Sequence, residues 1–366
     1  MSDYDVGAAF RELELSLIQS MSRTLAAHNN DILAEGFDWT AWQAEKIAAL
    51  EAFMADEGIV CKDKFKEINA EIDKLLNKMY KTGQNGEEKR ILSAIKQGYV
   101  AGNPSDAFAG INKTRIKALI KAVKSDMRKA ETAMLRMVDD TYRKAIYNAQ
   151  VCYASGATTL NQAVDLATND FLSRGINCIE YANGARVGID TWAEMALRTA
   201  GTRAKLQGES AARDEYGINT VIVTYRSAAC PMCTQWVGKV LYDDVYSNIE
   251  VPDSKYPLLS EAMSAGLYHP NCKDSHTTYF EDINTQDGKG LTDVEKAEAE
   301  RVYYLQQQQR YNERQIRKYK RLESGSVSPD NVEKNRKKRA EWQKKQRDFI
   351  DKNSDVLRRK YSREKI

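Results

Sequence analysis

Proline, histidine and long apolar runs are scarce in this 366-residue sequence, which has 6 Pro and 3 His. The shortage of proline, together with 29% charged residues, argues against a Pro- and Gly-rich all-β fold and favours long solvated helices. No apolar run approaches the roughly 20 residues that a membrane-spanning helix needs, which excludes an integral membrane protein. The stretch Met1–Asp5 lacks a basic segment followed by an apolar one, so we expect no secretory signal.

The chain is nevertheless apolar enough to fold. Hydrophobic residues make up 42% of it and aromatic residues 9%, which excludes a fully unstructured chain. At roughly 150 residues per domain, the length predicts two or three domains.

The charge is unevenly distributed along the chain. Residues 301–366 contain 21 Lys and Arg but 9 Asp and Glu, a net charge of +12, whereas residues 1–300 have a net charge of −9. An acidic body with a basic tail indicates a polyanionic partner, such as DNA, or an acidic protein surface.

The first 155 residues have a helical pattern. Apolar residues at spacings of three and four predict helices through 10–25, 39–50, 65–79 and 112–149. We expect the second helix to end near Gly58, and the third to end at Gly83 and the Asn85-Gly86 turn. Asn112 is predicted to be the N-cap of the fourth.

The pattern changes near residue 156, where short helices begin to alternate with strands. Thr191 and Glu194 have the spacing of a capping box, which predicts that a helix begins there. The segments that read as strands or a hairpin are 176–189, 220–225, 236–242 and 276–280. From residue 284 the sequence is polar and helical, apart from a turn at 324–329.

These patterns predict a mainly α protein with a small α+β domain. We expect an N-terminal helical domain over 1–155, a central α+β domain with a Cys/His site over 156–283, and a basic helical tail over 284–366.

Four residues have the spacing of a metal site. Cys230-Pro-Met-Cys233 and His269-Pro-Asn-Cys272 are separated by 35 residues, while Cys61, Cys152 and Cys178 are isolated. Two residues between ligands allow a tight turn to direct both side chains at one ion, and Cys3His is a common structural zinc set. We therefore predict that Cys230, Cys233, His269 and Cys272 bind Zn²⁺. Because four protein ligands leave no position for water, the site is predicted to be structural.

Other interpretations of this cluster stay open. Cys230 and Cys233 could form a redox pair, or the thiols could simply be buried. His276 is an alternative ligand, although we expect it to be a neighbour of the site or exposed to solvent. His28 is expected on a solvated helix.

We expect no enzymatic activity and no catalytic residues. The sequence has no G-x-S-x-G, no phosphate-binding G-x-x-x-x-G-K-[ST] and no H-E-x-x-H. Asp243 and Asp244 are interpreted as turn residues. The alternative is a zinc-supported DNA-acting enzyme, a nuclease or an injected effector, for which only Asp274 and His276 could supply the remaining groups.

The motifs together resemble the minor capsid protein 2 family of tailed bacteriophages, which is related to the Mu F-like head morphogenesis proteins. The resemblance covers most of the chain, is most specific between about 190 and 320, and depends most on the two cysteine elements. The segments that carry it are Trp192–Thr199, Val221–Val223, Ala229–Lys239, Gly266–Cys272, Ser275–Phe280, Tyr303-Tyr304 and Gln306–Gln309.

The resemblance implies a structural component of the phage head, present in few copies in the virion and assembled in the host cytoplasm. It implies portal or capsid proteins as partners, no membrane, and a role in head assembly or DNA packaging. The tail of residues 301–366 could contact packaged DNA through its densest basic clusters, or it could be a solvated helical hairpin. Those clusters are Arg336–Arg339, Lys344-Lys345 and Arg358–Lys360.

Overall fold

The structure is a computed structural model that describes residues 5–27, 29, 38–102, 104–154, 158–181, 184–251, 255–269, 272–281, 283–284, 288 and 290–366. His28 and residues 155–157, where the first domain boundary was predicted, lie outside these ranges. The helices are α1 (Val6–Ala26), α2 (Trp39–Lys96), α3 (Ala109–Ala154), α4 (Leu160–Arg174), α5 (Ile189–Glu215), α6 (Pro231–Thr234), α7 (Leu259–Ser264), α8 (Asp293–Gly325) and α9 (Pro329–Lys352). The strands are β1 (Ile179–Glu180), β2 (Arg186–Val187), β3 (Thr220–Val223), β4 (Val240–Tyr242) and β5 (His276–Thr278), and a 3-10 helix spans Tyr361–Glu364.

The predicted fold class, mainly α with a small α+β part, is confirmed. β3 is the centre of a small antiparallel sheet with the order β4-β3-β5, and β1 and β2 form a separate hairpin. Val221 pairs with Leu241 on one side and with Thr278 on the other. None of the helices among the described residues is long and apolar enough to cross a bilayer.

The long helix α2 corrects the prediction of two helices that end near Gly58 and Gly83. It runs for 58 residues without a break. A Cβ added to Gly58 or Gly86 would meet nothing within 4 Å, so both glycines lie beside open space. Each glycine costs about 1 kcal/mol relative to alanine, whereas burying one large apolar side chain contributes about 1.5–3 kcal/mol. The apolar face continues past both positions, and its burial keeps the helix intact. Its buried residues include Phe53, Cys61, Phe65, Ile68, Ile72, Leu76 and Ile91.

Two predicted caps are also wrong. α3 begins at Ala109, so Asn112 lies inside the helix, where its side-chain oxygen accepts a hydrogen bond from Asn248 at 3.0 Å. α5 begins at Ile189, and the Thr191 hydroxyl donates to Asp190 at 3.3 Å. Both residues have the chemistry of a cap, but tertiary contacts and an earlier helix start give them other partners.

One hydrophobic core joins most of the helices. It contains buried side chains of α1 to α5 together with Leu322 of α8, and Phe10 of α1 meets Phe65 of α2 edge to face at 5.3 Å. α2 and α5 approach closely, because a Cβ on Gly83 would overlap the Lys205 carbonyl and one on Gly208 would overlap the Tyr80 carbonyl. A second apolar cluster surrounds the cysteines and includes side chains of β3 and β4.

The domain boundaries at 155 and 283 stay predictions.

Candidate metal centre

The first cysteine pair is placed by a tight turn after β3. Cys230 is the N-cap of α6, and Pro231 occupies the first helical position, where its missing N–H needs no partner. The backbone N–H groups of Cys233 and Thr234 both donate to the Cys230 carbonyl at 2.9 Å. This turn directs the Cys230 and Cys233 side chains to the same side.

The second arm follows α7. The chain reverses at Gly266, with φ 104°, and at Tyr268, with φ 57°, a left-handed conformation that is uncommon for a residue other than glycine. The Cys272 N–H donates to the His269 carbonyl at 2.9 Å. This hydrogen bond corresponds to the one from the Cys233 N–H to the Cys230 carbonyl in the first arm.

The structure places the four predicted ligands in two overlapping groups, Cys230, Cys233 and His269 in one and Cys233, Cys272 and Asp274 in the other. Cys230 Sγ lies 3.0 Å from His269 Nε2, and Cys233 Sγ lies 3.5 Å from Cys272 Sγ. The ligand atoms of Cys230, Cys233 and His269 lie within 4.8 Å of one another. Tetrahedral zinc with bonds of 2.3 Å to sulfur and about 2.0 Å to nitrogen requires S···S distances of about 3.8 Å and S···N distances of about 3.5 Å. The Cys230–His269 and Cys233–Cys272 distances are within about half an ångström of these values, and three thiols with one imidazole have the chemistry of a zinc site. Cys272 lies outside the group formed by Cys230, Cys233 and His269, so binding of one ion by all four ligands requires Cys272 to move closer.

The cluster is buried in an apolar environment. Cys233 is fully buried, Cys230 and Cys272 are at most 9% exposed, and Val237, Leu259 and other apolar residues surround them. His269 is half-buried, so the three thiols are shielded from water more completely than the imidazole. Burial of the thiols favours a structural site over a catalytic one, since a catalytic metal keeps a position for water.

Proton sharing distinguishes these thiols from the isolated ones. The hydrogen bond between Cys233 and Cys272, followed by burial, raises the pKa of Cys233, and the same hydrogen bond lowers the pKa of Cys272. By contrast, burial raises the pKa of Cys61 to about 12 and that of Cys178 to about 11. Metal binds to the thiolate form of cysteine. Of this pair, Cys272 has the lowered pKa and therefore gives up its proton to a metal more readily.

Arg226 and Asp274 orient the second arm. Buried Asp274 accepts from Arg226 Nε at 2.7 Å, and its own backbone N–H donates to Cys272 Sγ at 3.3 Å. Such contacts around ligand atoms fix their direction and stabilise the thiolate. Asp274, considered above as a catalytic group, is here held in an ion pair. Sequence reasoning did not identify Arg226.

His276 is buried beside the site, so of its two expected positions, next to the site or exposed to solvent, the structure shows the first. Its Nδ1 lies 3.0 Å from the Tyr268 hydroxyl, and it belongs to neither group of potential ligands found among the described residues. Burial lowers the pKa of His276 to about 3, which keeps its ring neutral.

Asp243 and Asp244 close the turn after β4. The carboxylate of fully buried Asp243 pairs with Arg213 and accepts from the Tyr246 N–H at 2.9 Å. Asp244 accepts from the N–H of Ser260 at 2.9 Å. Both carboxylates therefore have structural partners.

A comparison with protein families identifies the group to which this architecture belongs. The model of the family described as phage minor capsid protein 2 matches residues 4–351, nearly the whole chain. The chain belongs to the phage minor capsid protein 2 family. No curated protein and no solved structure gives a match. As a member of this family, the protein is a virion component, and the family resemblance inferred from the cysteine motifs is confirmed.

In this minor capsid protein the C-terminal helices fold back on the N-terminal ones. Buried Arg321 donates to the carbonyls of Leu172 at 3.1 Å and Ser173 at 3.2 Å. Asp165 of α4 accepts from the N–H groups of Val327 at 2.6 Å and Ser328 at 3.0 Å. The basic segment is thus a docked hairpin.

The basic clusters of the hairpin differ in whether neighbouring carboxylates pair with their charges. Arg336 and Arg339 form ion pairs with Glu323, and Lys338 pairs with Glu341. Lys344, Lys345 and Arg347 are exposed, and Lys345 lies over the Trp342 ring at 4.4 Å. Among the described residues, Lys344, Lys345 and Arg347 form no ion pair within 4 Å, so segment 344–347 presents positive charge to solvent.

Proposed function

We propose that this protein is a structural component of the phage head that associates with the portal, and that it acts in head assembly or DNA packaging in the host cytoplasm. The observation that carries this proposal is the family match over residues 4–351. The long helices and the docked basic hairpin support it, because they provide extended surfaces for other virion proteins.

One structural Zn²⁺, bound by Cys230, Cys233, His269 and Cys272, is part of this proposal. The ligand atoms of Cys230, Cys233 and His269 lie within 4.8 Å of one another and Cys272 Sγ lies 3.5 Å from Cys233 Sγ, which supports it. A bound ion would connect the turn after β3 to the turn after α7, and so would hold the small sheet and α7 in one unit.

The exposed charges at 344–347 are the proposed contact with an acidic portal or capsid surface. Charge of one sign on one helix face accelerates association with a surface of opposite charge and makes binding sensitive to salt. Packaged DNA is the alternative partner for the same charges, and the experiment below distinguishes the two.

The test is a pull-down of the portal protein of the same phage by the full chain. We expect the triple substitution Lys344→Gln, Lys345→Gln and Arg347→Gln to reduce portal recovery, and added salt to reduce it for the unsubstituted chain. The control removes three exposed lysines from α2, at Lys62, Lys64 and Lys66, and should retain binding. If the portal is recovered equally with both variants, the basic face is not its contact. If the triple substitution lowers the affinity of the chain for DNA but leaves portal recovery unchanged, DNA is the partner.

A further inference from the structure

Five arginines converge on a small cavity far from the cysteines in sequence. The cavity has a volume of about 170 Å³ and lies between α5, α8 and the 3-10 helix. Its positive wall consists of Arg198, Arg310, Arg314, Arg317 and Arg363. Three elements that are distant along the chain thus direct charge of the same sign into one space.

The carboxylates of the cavity compensate only part of this charge. Its wall contains three, from Asp190, Glu194 and Glu313, against five arginines. The Glu194 carboxylate also accepts a hydrogen bond at 2.7 Å from Arg11, which lies outside the wall. The arginines of the wall therefore exceed its carboxylates by two positive charges.

Two of the half-buried arginines of the wall lack a hydrogen-bond or ion-pair partner among the described residues. Within the part of the chain that the structure describes, the guanidiniums of Arg310 and Arg363 have no hydrogen bond and no ion pair within 4 Å. Burial, followed by the charges of Arg363 and Arg198, lowers the pKa of Arg310, although arginine stays charged in proteins. Half-buried like charges without a partner are unfavourable unless an anion joins them.

We infer that this cavity binds a phosphate-type oxyanion. The planar guanidinium donates two parallel hydrogen bonds that match a phosphate or sulfate. A phosphate dianion would balance the two excess charges, and a monoanion would balance one of them. The volume is below the roughly 300–1,000 Å³ of pockets for larger ligands, so the cavity fits a single phosphate group better than a nucleotide.

The bound group would connect the end of the chain to the body. Arg317 Nη1 donates to the Arg363 carbonyl at 2.6 Å, and Lys320 Nζ donates to the Glu364 carbonyl at 2.6 Å, which docks the 3-10 helix on α8. An oxyanion between Arg310 and Arg363 would add a further link at this position. The phosphate could be free inorganic phosphate or a phosphodiester of DNA, which share the same chemistry.

The test is the thermal stability of the full chain as inorganic phosphate replaces chloride at constant ionic strength. We expect the melting temperature to rise with phosphate for the unsubstituted chain, by mass action, and not for Arg310→Gln. Without phosphate, Arg310→Gln should be at least as stable as the unsubstituted chain, because it removes one of the repelling charges. Arg136→Gln, at an exposed arginine of α3 outside the cavity, is the control and should retain the full response.

Equal responses of all three proteins, or no response in any, would overturn the inference, because phosphate also stabilises proteins by exclusion from their surface. Equilibrium dialysis of the unsubstituted chain against labelled phosphate tests binding without a variant, and no retained phosphate would also overturn it. Arg310→Gln should weaken the measured binding by about tenfold or more, as expected for losing a hydrogen bond to a charged group. If a short oligonucleotide displaces the phosphate, the ligand is a phosphodiester; if it does not, the ligand is the free ion.

Discussion

The two histidines near the cysteines have different surroundings, and this predicts different effects of replacing them. His269 contacts Cys230 Sγ, whereas His276 contacts the Tyr268 hydroxyl. We expect His269→Ala to lose bound zinc and His276→Ala to retain it, because only the first removes a ligand. The measurement is zinc content per chain after purification of both variants without chelator. Loss of zinc in His276→Ala alone would assign the ligand to His276 instead.

Burial of His276 also predicts how stability depends on pH. Its pKa is about 3 in the folded chain and near 6.5 when unfolded, so the unfolded state takes up the proton first as pH falls. The stability that neutral His276 contributes is therefore present above about pH 6.5 and is lost toward pH 3, by at most about 1.4 kcal/mol per pH unit. Denaturant unfolding of the unsubstituted chain and of His276→Gln between about pH 7 and 5 measures this. Parallel curves for the two proteins would contradict it, because protonation of the cysteines affects both equally.

At the residue scale, the spacing predicted a cluster that the structure forms in part: Cys230, Cys233 and His269 form one group, and Cys272 lies beside Cys233 in a second. The two-residue gaps specify tight turns, and the structure has both, although metal binding itself stays a prediction. The ion pair between Arg226 and Asp274 could not be predicted, since it depends on the pairing of β3 with β5, in which Val223 lies opposite His276. Nothing in the sequence around Arg226 or Asp274 indicates that the two residues form a pair.

At the scale of elements, the glycines of α2 show why a local rule failed. A glycine ends a helix when the chain needs a left-handed residue, but Gly58, Gly83 and Gly86 all stay helical. Periodicity does not reveal that Gly83 is required by the close approach of α5, because this contact involves residues more than a hundred positions apart. The apolar spacing on both sides of Gly58 was visible in the sequence, and it correctly predicted that Trp42, Leu50, Phe65 and Ile68 are buried, although Ile47 of the same pattern is exposed.

The same glycines give a matched pair of predictions. Gly83→Ala should destabilise the chain by about 2 kcal/mol or more, because the added methyl group overlaps the Lys205 carbonyl and the two helices must separate. Gly58→Ala and Gly86→Ala should stabilise it by up to about 1 kcal/mol, since both face open space within a helix. Chemical denaturation of the three variants measures the difference. A stable Gly83→Ala protein would contradict the observed helix contact.

At the scale of the whole molecule, the C-terminal hairpin is part of the fold as well as a charged surface. Leu322 lies in the main core, and a Cβ on Gly325 would overlap Leu172 of α4. The composition of residues 301–366 correctly predicted a polar helical segment, but it did not reveal this docking. The reason is that few side chains of the hairpin contact the rest of the fold, and many solvated residues separate them along the sequence.

This docking predicts the effect of a truncation. A chain that ends at residue 292 should lose several kcal/mol of stability, because it exposes the apolar faces of α1 and α4 and leaves Glu14 without Arg321. The control ends at residue 353, which removes the 3-10 helix but keeps α8 and α9, and should lose much less. Hydrogen exchange in α1 and α4 is the measurement. Unchanged protection in the shorter chain would show that the hairpin is an independent tail.

The metal content of the purified chain tests most directly whether the two cysteine turns form one closed structural site. Elemental analysis of protein purified without chelator should give about one zinc per chain, the stoichiometry of a four-ligand tetrahedral site. Removing the metal with a strong chelator should lower the thermal stability, since binding and local folding are linked. A correctly folded chain that contains almost no zinc, and whose stability does not change when zinc is added, would contradict the proposed site.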